Sequence, residues 1–273
     1  MKKAIITGAT DGIGKEIAKE LARRNYDLII HGRNKEKAEK LIVELNKINN
    51  KLNYSIEIAD FESQLEIYEM ANRIKSRHDK IDVLINNAGI YKESLEFSRE
   101  GIEKTMAVNY HAHFILTGLL LNLIEVGEYS RIINVSSISH SSKIALEDVW
   151  YPDNYDGMKA YTDSKLSMIL FTFKLADLYK DKILVNCLDP GVIDTKLLRK
   201  GWSLGGSPVE RGRETPVYLA DSDEVEAETG NYYINKKKSK PAGIAYDKEL
   251  QQVIWDKSFE MIKYEEIKND MFK

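Results

Sequence analysis

Short, continuous apolar runs alternate with longer stretches of helical periodicity over the first two thirds of the chain. Ala4-Ile5-Ile6-Thr7 reads as a strand that stops at Gly8. From Ile13 to Arg24, the residues Ile13, Ile17, Ala18 and Leu21 recur on one face, which predicts a helix. Leu28-Ile29-Ile30-His31 predicts a second strand, and Glu36 to Ile48 a helix that aligns Ala38, Leu41, Ile42 and Leu45. Tyr54 to Ala59 alternates as a strand, and Leu65 to Ile74 is helical. Val83-Leu84-Ile85, Ile132 to Val135 and Ile183 to Cys187 are further apolar runs bounded by turn residues. Such runs suit strands buried on both faces, as in a parallel sheet. Their alternation with helices predicts a doubly wound α/β fold with right-handed crossovers. After Pro190-Gly191 the pattern loosens, and Gly201, Gly205, Gly206, Pro208 and Gly212 mark a mobile loop at about 196–212. A last strand near Tyr232-Tyr233-Ile234 and a helix from about Asp247 end the chain. No repeat or linker interrupts it, so residues 1–273 are expected to form a single domain.

Composition narrows the function classes without naming one. With 43% hydrophobic and 30% charged residues, 273 residues can bury a sizeable core. Forty Lys and Arg against 43 Asp and Glu give a net charge of −3, which offers no electrostatic footprint for nucleic acid or an anionic membrane. The single cysteine, Cys187, excludes an intramolecular disulfide and a cysteine-rich zinc site, and no His, Asp and Glu cluster has metal spacing. No window holds the ~18 uninterrupted apolar residues of a membrane span. The five-residue segment after Met1-Lys2-Lys3 is too short for a signal-peptide core. These features lead to the expectation of a cytoplasmic protein without a membrane or nucleic-acid partner.

The chemistry lies in motifs. The first strand runs into Thr7-Gly8-Ala9-Thr10-Asp11-Gly12-Ile13-Gly14 and then directly into a helix. In this phosphate cradle, Gly8 permits the tight turn, Gly12 clears space for a pyrophosphate and Gly14 lets helix and strand approach. The helix N-terminus adds free N–H groups and positive potential. The turn is that of a dinucleotide-binding Rossmann unit. The second strand ends His31-Gly32-Arg33-Asn34 with no acid at its tip, and Arg33 is placed to receive a ribose 2′-phosphate. NADP(H) is therefore expected, with NAD(H) the alternative. Tyr161 and Lys165 lie i,i+4 on one helix face, where an ammonium would lower the phenol pKa towards a working value. Ser136-Ser137 ends the strand Ile132 to Val135, where a serine can hydrogen-bond a carbonyl or alkoxide oxygen.

Taken in order, Thr7 to Gly14, Asn86-Asn87-Ala88-Gly89, Asn109, Ser136-Ser137, Tyr161 with Lys165, and Pro190-Gly191 resemble the short-chain dehydrogenase/reductase family across the chain. The resemblance implies the following roles. Gly8, Gly12, Ile13 and Gly14 hold the pyrophosphate, and Thr10 and Asp11 also bind the cofactor. Asp60 and Phe61 meet the adenine, and Asn87, Ala88 and Gly89 line its ribose. Tyr161 is the general acid/base. Lys165 binds the nicotinamide ribose and lowers the Tyr161 pKa. Ser137, chosen over Ser136 by register, orients the carbonyl. Asn109 holds a water behind Lys165. Pro190, Gly191 and Val192 bind the cofactor, and Thr195 approaches the nicotinamide amide or the phosphate. Association as a homodimer or homotetramer through the helices that carry Asn109 and Tyr161 is also implied.

Ser137 lies 24 residues before Tyr161, and the extra segment resembles an insertion in the retinol-dehydrogenase-like branch. This insertion, at about 140–158, is expected to lie on the substrate side. Together with the loop from Leu197 to Val209 it would flank the nicotinamide site, where Trp150, Tyr151, Tyr155, Trp202 and Leu204 are a candidate aromatic and apolar wall, the alternative being that they stabilise the insertion or a subunit contact. His140 reads as a solvated loop residue, His111 and His113 as helix packing, and Lys236-Lys237-Lys238 as a surface loop. The expected activity is carbonyl–alcohol interconversion on a small molecule by hydride transfer. The rival reading is a catalytically silent nucleotide-binding sensor.

Overall fold

The computed structural model describes residues 1–126, 130–146, 148–202 and 204–273. Among these residues, eight strands form one sheet in the order β3-β2-β1-β4-β5-β6-β7-β8. They are β1 (Lys3–Ile6), β2 (Asp27–Gly32), β3 (Tyr54–Ile58), β4 (Val83–Asn86), β5 (Arg131–Val135), β6 (Leu184–Asp189), β7 (Tyr232–Ile234) and β8 (Lys237–Ser239). Every pairing is parallel except the hairpin between β7 and β8. The doubly wound α/β expectation holds, because alternate residues of the apolar runs feed two cores. Ala4, Ile6, Leu28 and Ile30 pack on one face, and Ile5 and Ile29 on the other.

Helices α1 (Gly12–Arg23) and α2 (Lys35–Ile48) cover the first face. Helices α3 (Gln64–Arg77), α4 (Lys104–Ile124) and α5 (Gly157–Leu178) cover the second. The chain reverses its direction of travel between β1 and β4, and the crevice beyond the carboxyl ends of these strands is where ligands bind in open α/β sheets.

α4 departs from expectation. It runs 21 residues at a mean hydropathy of 1.3, long and apolar enough to cross a membrane, yet 89% of that window is buried inside the fold. Asn109, His111, His113 and Thr117 interrupt its apolar run, which is why no uninterrupted span stands out in the sequence. A helix apolar on all sides needs cover on all sides. Its outer face is closed by α8 (Lys248–Glu260) and α9 (Glu265–Asp270). Phe114 stacks edge-on against Trp255 and Phe259, at 5.2 Å each, and the Phe272 N–H donates to the Gly118 carbonyl at 2.8 Å. Trp255 also lies against Phe171 of α5. The chain's own C-terminal segment thus packs on both α4 and α5.

Two stretches read as loops hold regular structure. Region 196–212 contains α6 (Lys196–Trp202) and a 3-10 turn, Val209–Arg213. A further helix, α7 (Glu214–Asp221), follows and joins the first face. Paired Ile193 and Ser207 pin the base of the excursion. The lysine run forms β8, because Asn235 and Lys236 adopt φ of 50° and 63° and turn the chain into a two-residue hairpin. Glu147 of the insertion and Ser203 of the loop lie outside the described residues.

Candidate active site

A cavity of about 920 Å³ opens at the carboxyl ends of β1, β2, β4, β5 and β6. Its floor is the glycine turn. Gly8 and Gly12 adopt φ of 64° and 53°, in the left-handed region that favours glycine. A Cβ on Gly14 would stand 2.3 Å from the Gly8 carbonyl oxygen and 2.6 Å from Asn87 Nδ2, so α1 starts directly against the turn. Thr7 Oγ1 accepts from the Asn87 and Ala88 N–H groups, at 2.8 and 3.0 Å, and ties this turn to the end of β4. Asp11 caps α1 by accepting from the Gly12 N–H, and its carboxylate pairs with Lys196 and Lys37. The Lys196 hydrogen bond is the main reason its carboxyl sits below the usual range.

One end of the cavity is cationic. Arg33, Asn34 and Lys37 line it together with Thr10, Asp60 and Phe61. Asn34 caps α2, and no carboxylate stands in Gly32-Arg33-Asn34. The Arg33 guanidinium lies 3.6 Å from Glu62 and 3.9 Å from Asp60. Phe61 is buried and stacks on His31 at 4.1 Å. His31 Nδ1 in turn accepts from the Gly8 N–H, so the nucleotide end is braced from below.

At the other end, α5 delivers Tyr161 and Lys165 from one face. Both are buried, and the Lys165 ammonium sits 5.6 Å from the centre of the Tyr161 ring while donating to the Val135 carbonyl at 3.0 Å. Burial pushes the Tyr161 phenol up, against a smaller pull from the Ser137 hydroxyl. Burial pushes Lys165 down to about 8, against the opposing charge of Asp189. Desolvation thus drives both groups towards their neutral forms, opposite to the lowering of the phenol expected from the Lys165 ammonium.

The two serines separate cleanly. Ser136 is buried, and its hydroxyl is spent on the Lys165 carbonyl at 2.8 Å. Ser137 is half-buried at the cavity wall, beside the phenol. Asn109 sits in a π-helical turn of α4, behind the wall. Its side chain accepts from the Ile90 N–H at 2.7 Å and donates to the Ile90 carbonyl and Ser164 Oγ. It splices the segment after β4 to α5 with both ends of its amide engaged.

Asn87, Ala88, Gly89, Ile13, Pro190, Gly191, Val192 and Thr195 also reach the cavity, while Gly14 packs beneath it. The Thr195 hydroxyl accepts from the Leu198 N–H. No described residue of 140–158 lines the cavity. Trp150 instead packs against Tyr110 and His111, Tyr151 reaches Met261, and Tyr155 donates to the Lys92 carbonyl. The insertion buttresses α4 instead of walling the site.

Of the expected wall, Trp202 and Leu204 do line the cavity, and Tyr91 joins them. Trp202 stands edge-on to Tyr161 at 5.1 Å, and Tyr91 touches both, at 5.8 Å from Trp202 and 6.2 Å from Tyr161. Tyr91 was signalled only by its position just after Asn87-Ala88-Gly89. Asp189 was also missed; a lone acid ending an apolar strand was its signal. It is buried, and accepts from the Ile138 and Gly191 N–H groups at 2.8 and 3.0 Å. Desolvation raises its pKa, and those two bonds pull it back.

Comparison with known proteins places the chain in a family. The family model described as short chain dehydrogenase matches residues 2–203. Human polyprenol dehydrogenase is 34% identical, over 94% of this chain and 84% of that protein. Human retinol dehydrogenase 13 is 34% identical, over 97% and 85%. Among solved structures, an uncharacterized protein from Mycobacterium paratuberculosis superposes with a TM-score of 0.79 at 25% identity, covering 96% of this chain and 93% of that one. A Shigella flexneri short chain dehydrogenase complexed with NADP superposes with a TM-score of 0.68 at 24% identity, covering 85% and 95%.

Proposed function

Because the chain belongs to the short-chain dehydrogenase family, in its retinol-dehydrogenase-like branch, we infer that this oxidoreductase interconverts an alcohol and its carbonyl, using NADP(H) in preference to NAD(H). The observation that carries this reading is the meeting of Ser137, Tyr161 and Lys165 at one end of a cavity whose other end holds Arg33 and Lys37. The residues fit a dinucleotide: between the two ends lies the glycine turn, with Gly8 packed on Ala88, Gly14 on the Gly8 carbonyl, and α1 starting at Gly12. Gly8, Gly12 and Ile13 would hold the pyrophosphate, and Arg33 a 2′-phosphate. The nucleotide, when bound, supplies or takes up hydride at the substrate carbon.

The chain's own groups handle the oxygen. Ser137 Oγ–H and the Tyr161 phenol donate to the substrate oxygen and stabilise negative charge as it develops there. In reduction, Tyr161 hands its proton to that oxygen; in oxidation it removes it. Lys165, held by the Val135 carbonyl, supplies the positive field that a tyrosinate needs. Asn109 acts as a positioning residue, since both ends of its amide already have protein partners.

The substrate is proposed to have an apolar body. Ile138, Val192 and Leu204 are 58%, 52% and 56% exposed at the cavity mouth, beside Tyr91 and Trp202. The retinol and polyprenol named for the relatives are alcohols of this kind. The test is nucleotide oxidation with decanal, all-trans-retinal and glyceraldehyde, each with NADPH and NADH. Turnover of the apolar aldehydes, faster with NADPH, is expected. Tight nucleotide binding without turnover of any carbonyl would favour the silent sensor.

A further inference from the structure

The peptide that carries Ser137 is held by a second layer of groups, and one of them is a histidine whose protonation pattern its neighbours dictate. His140 Nε2 lies 2.9 Å from the Ala242 backbone N–H, which can only donate. That nitrogen therefore carries no proton. His140 Nδ1 lies 2.7 Å from the Ser137 carbonyl, which can only accept. The proton is therefore on Nδ1. Two obligate partners leave one tautomer, neutral and oriented. The ring also stands edge-on to Tyr232 at 5.6 Å, which fixes its plane.

The same turn is held at two further points. Ser137 Oγ accepts from the Ser139 N–H at 3.0 Å, which leaves the hydroxyl proton free to point into the cavity. Asp189 takes the Ile138 N–H from the opposite side at 2.8 Å. We propose that His140 is a positioning residue for the reaction: it ties the Ser137 carbonyl to the C-terminal segment at Ala242 and so aims the Ser137 hydroxyl at the substrate oxygen. The effect is geometric, because an ångström of misplacement in a preorganised donor is enough to lose rate. The inference rests on the reading of Ser137 as the oxygen-binding donor.

Four variants test it with decanal and NADPH. His140→Ala removes both bonds and is expected to lower kcat about 10-fold or more, with the NADPH Kd within about twofold of the parent, since His140 lies outside the cavity lining. His140→Asn keeps an N–H near the Nδ1 position and is expected to recover most of that loss. Ser137→Ala tests the underlying reading and should lower kcat by about 100-fold. In the double variant His140→Ala/Ser137→Ala, the histidine change should cost nothing further, because its effect passes through the serine. Parent-like kcat in His140→Ala, or a full additional loss in the double variant, would overturn the positioning role. Parent-like kcat in Ser137→Ala would instead overturn the reading of Ser137, and the proposal with it.

Discussion

Replacing Arg33 with alanine should separate the two nicotinamide nucleotides. Its guanidinium lies just beyond the end of β2, on the cavity wall shared with Asn34 and Lys37. A hydrogen bond to a charged group contributes about 1.5–3 kcal/mol. At ~1.4 kcal/mol per decade, that span corresponds to about 10- to 100-fold in Kd. Two features place the effect near the lower end. The Arg33 side chain is 56% exposed, so salt screens it, and Glu62 and Asp60 at 3.6 and 3.9 Å already share its charge. The expected result is a rise of about tenfold in the NADPH Kd and less than about twofold for NADH, which has no 2′-phosphate to lose. Fluorescence titration of both nucleotides at two salt concentrations measures this directly. Parent NADPH binding should weaken with salt more than NADH binding does. Equal losses for both nucleotides, or none for either, would refute the 2′-phosphate assignment.

Other consequences follow from the same geometry. Gly14→Ala places a methyl within 2.3 Å of the Gly8 carbonyl, so nucleotide binding should be lost by titration while the chain remains folded by circular dichroism. Phe114→Ala empties an aromatic cluster under Trp255, Phe259 and Phe272 and should cost about 3–5 kcal/mol in urea unfolding. His31, His111 and His113 are buried, with pKa values pushed down by desolvation to about 4, 4 and 3. The unfolded chain protonates at these sites first, near pH 6.5. Their contribution is therefore complete above that pH and falls as pH drops towards 4, by about 3 kcal/mol per histidine. Acid unfolding monitored between pH 7 and 4 should begin well above the carboxylate range, and the triple His→Gln variant should flatten that slope.

The β1–α1 turn, the positions of the strands and the Tyr161–Lys165 pair were legible because each depends on local spacing. Apolar runs mark strands buried on both faces, and i,i+4 spacing puts two side chains on one helix face. What escaped depends on where a segment folds back. Trp150 and Tyr155 are as aromatic as Trp202, but only tertiary packing decides that the first two brace α4 while Trp202 meets Tyr161. Tyr91 had no motif of its own. β8 was hidden because a lysine-rich hairpin strand looks like a loop when its turn uses Asn235 and Lys236 without glycine. The pKa relation between Tyr161 and Lys165 was read from their proximity. Burial, which spacing does not reveal, moves Tyr161 the other way and lowers Lys165.

The central claim is that the Tyr161 hydroxyl moves the proton in carbonyl–alcohol interconversion. Tyr161→Phe removes that oxygen and leaves the ring that packs against Tyr91 and Trp202. Single-turnover NADPH oxidation with decanal, run beside an NADPH titration of the same preparation, is the direct measurement. The account predicts unchanged NADPH affinity and a rate lower by at least about 100-fold, the lower range for loss of a general acid/base. A Tyr161→Phe variant that turns decanal over at the parent rate would contradict it.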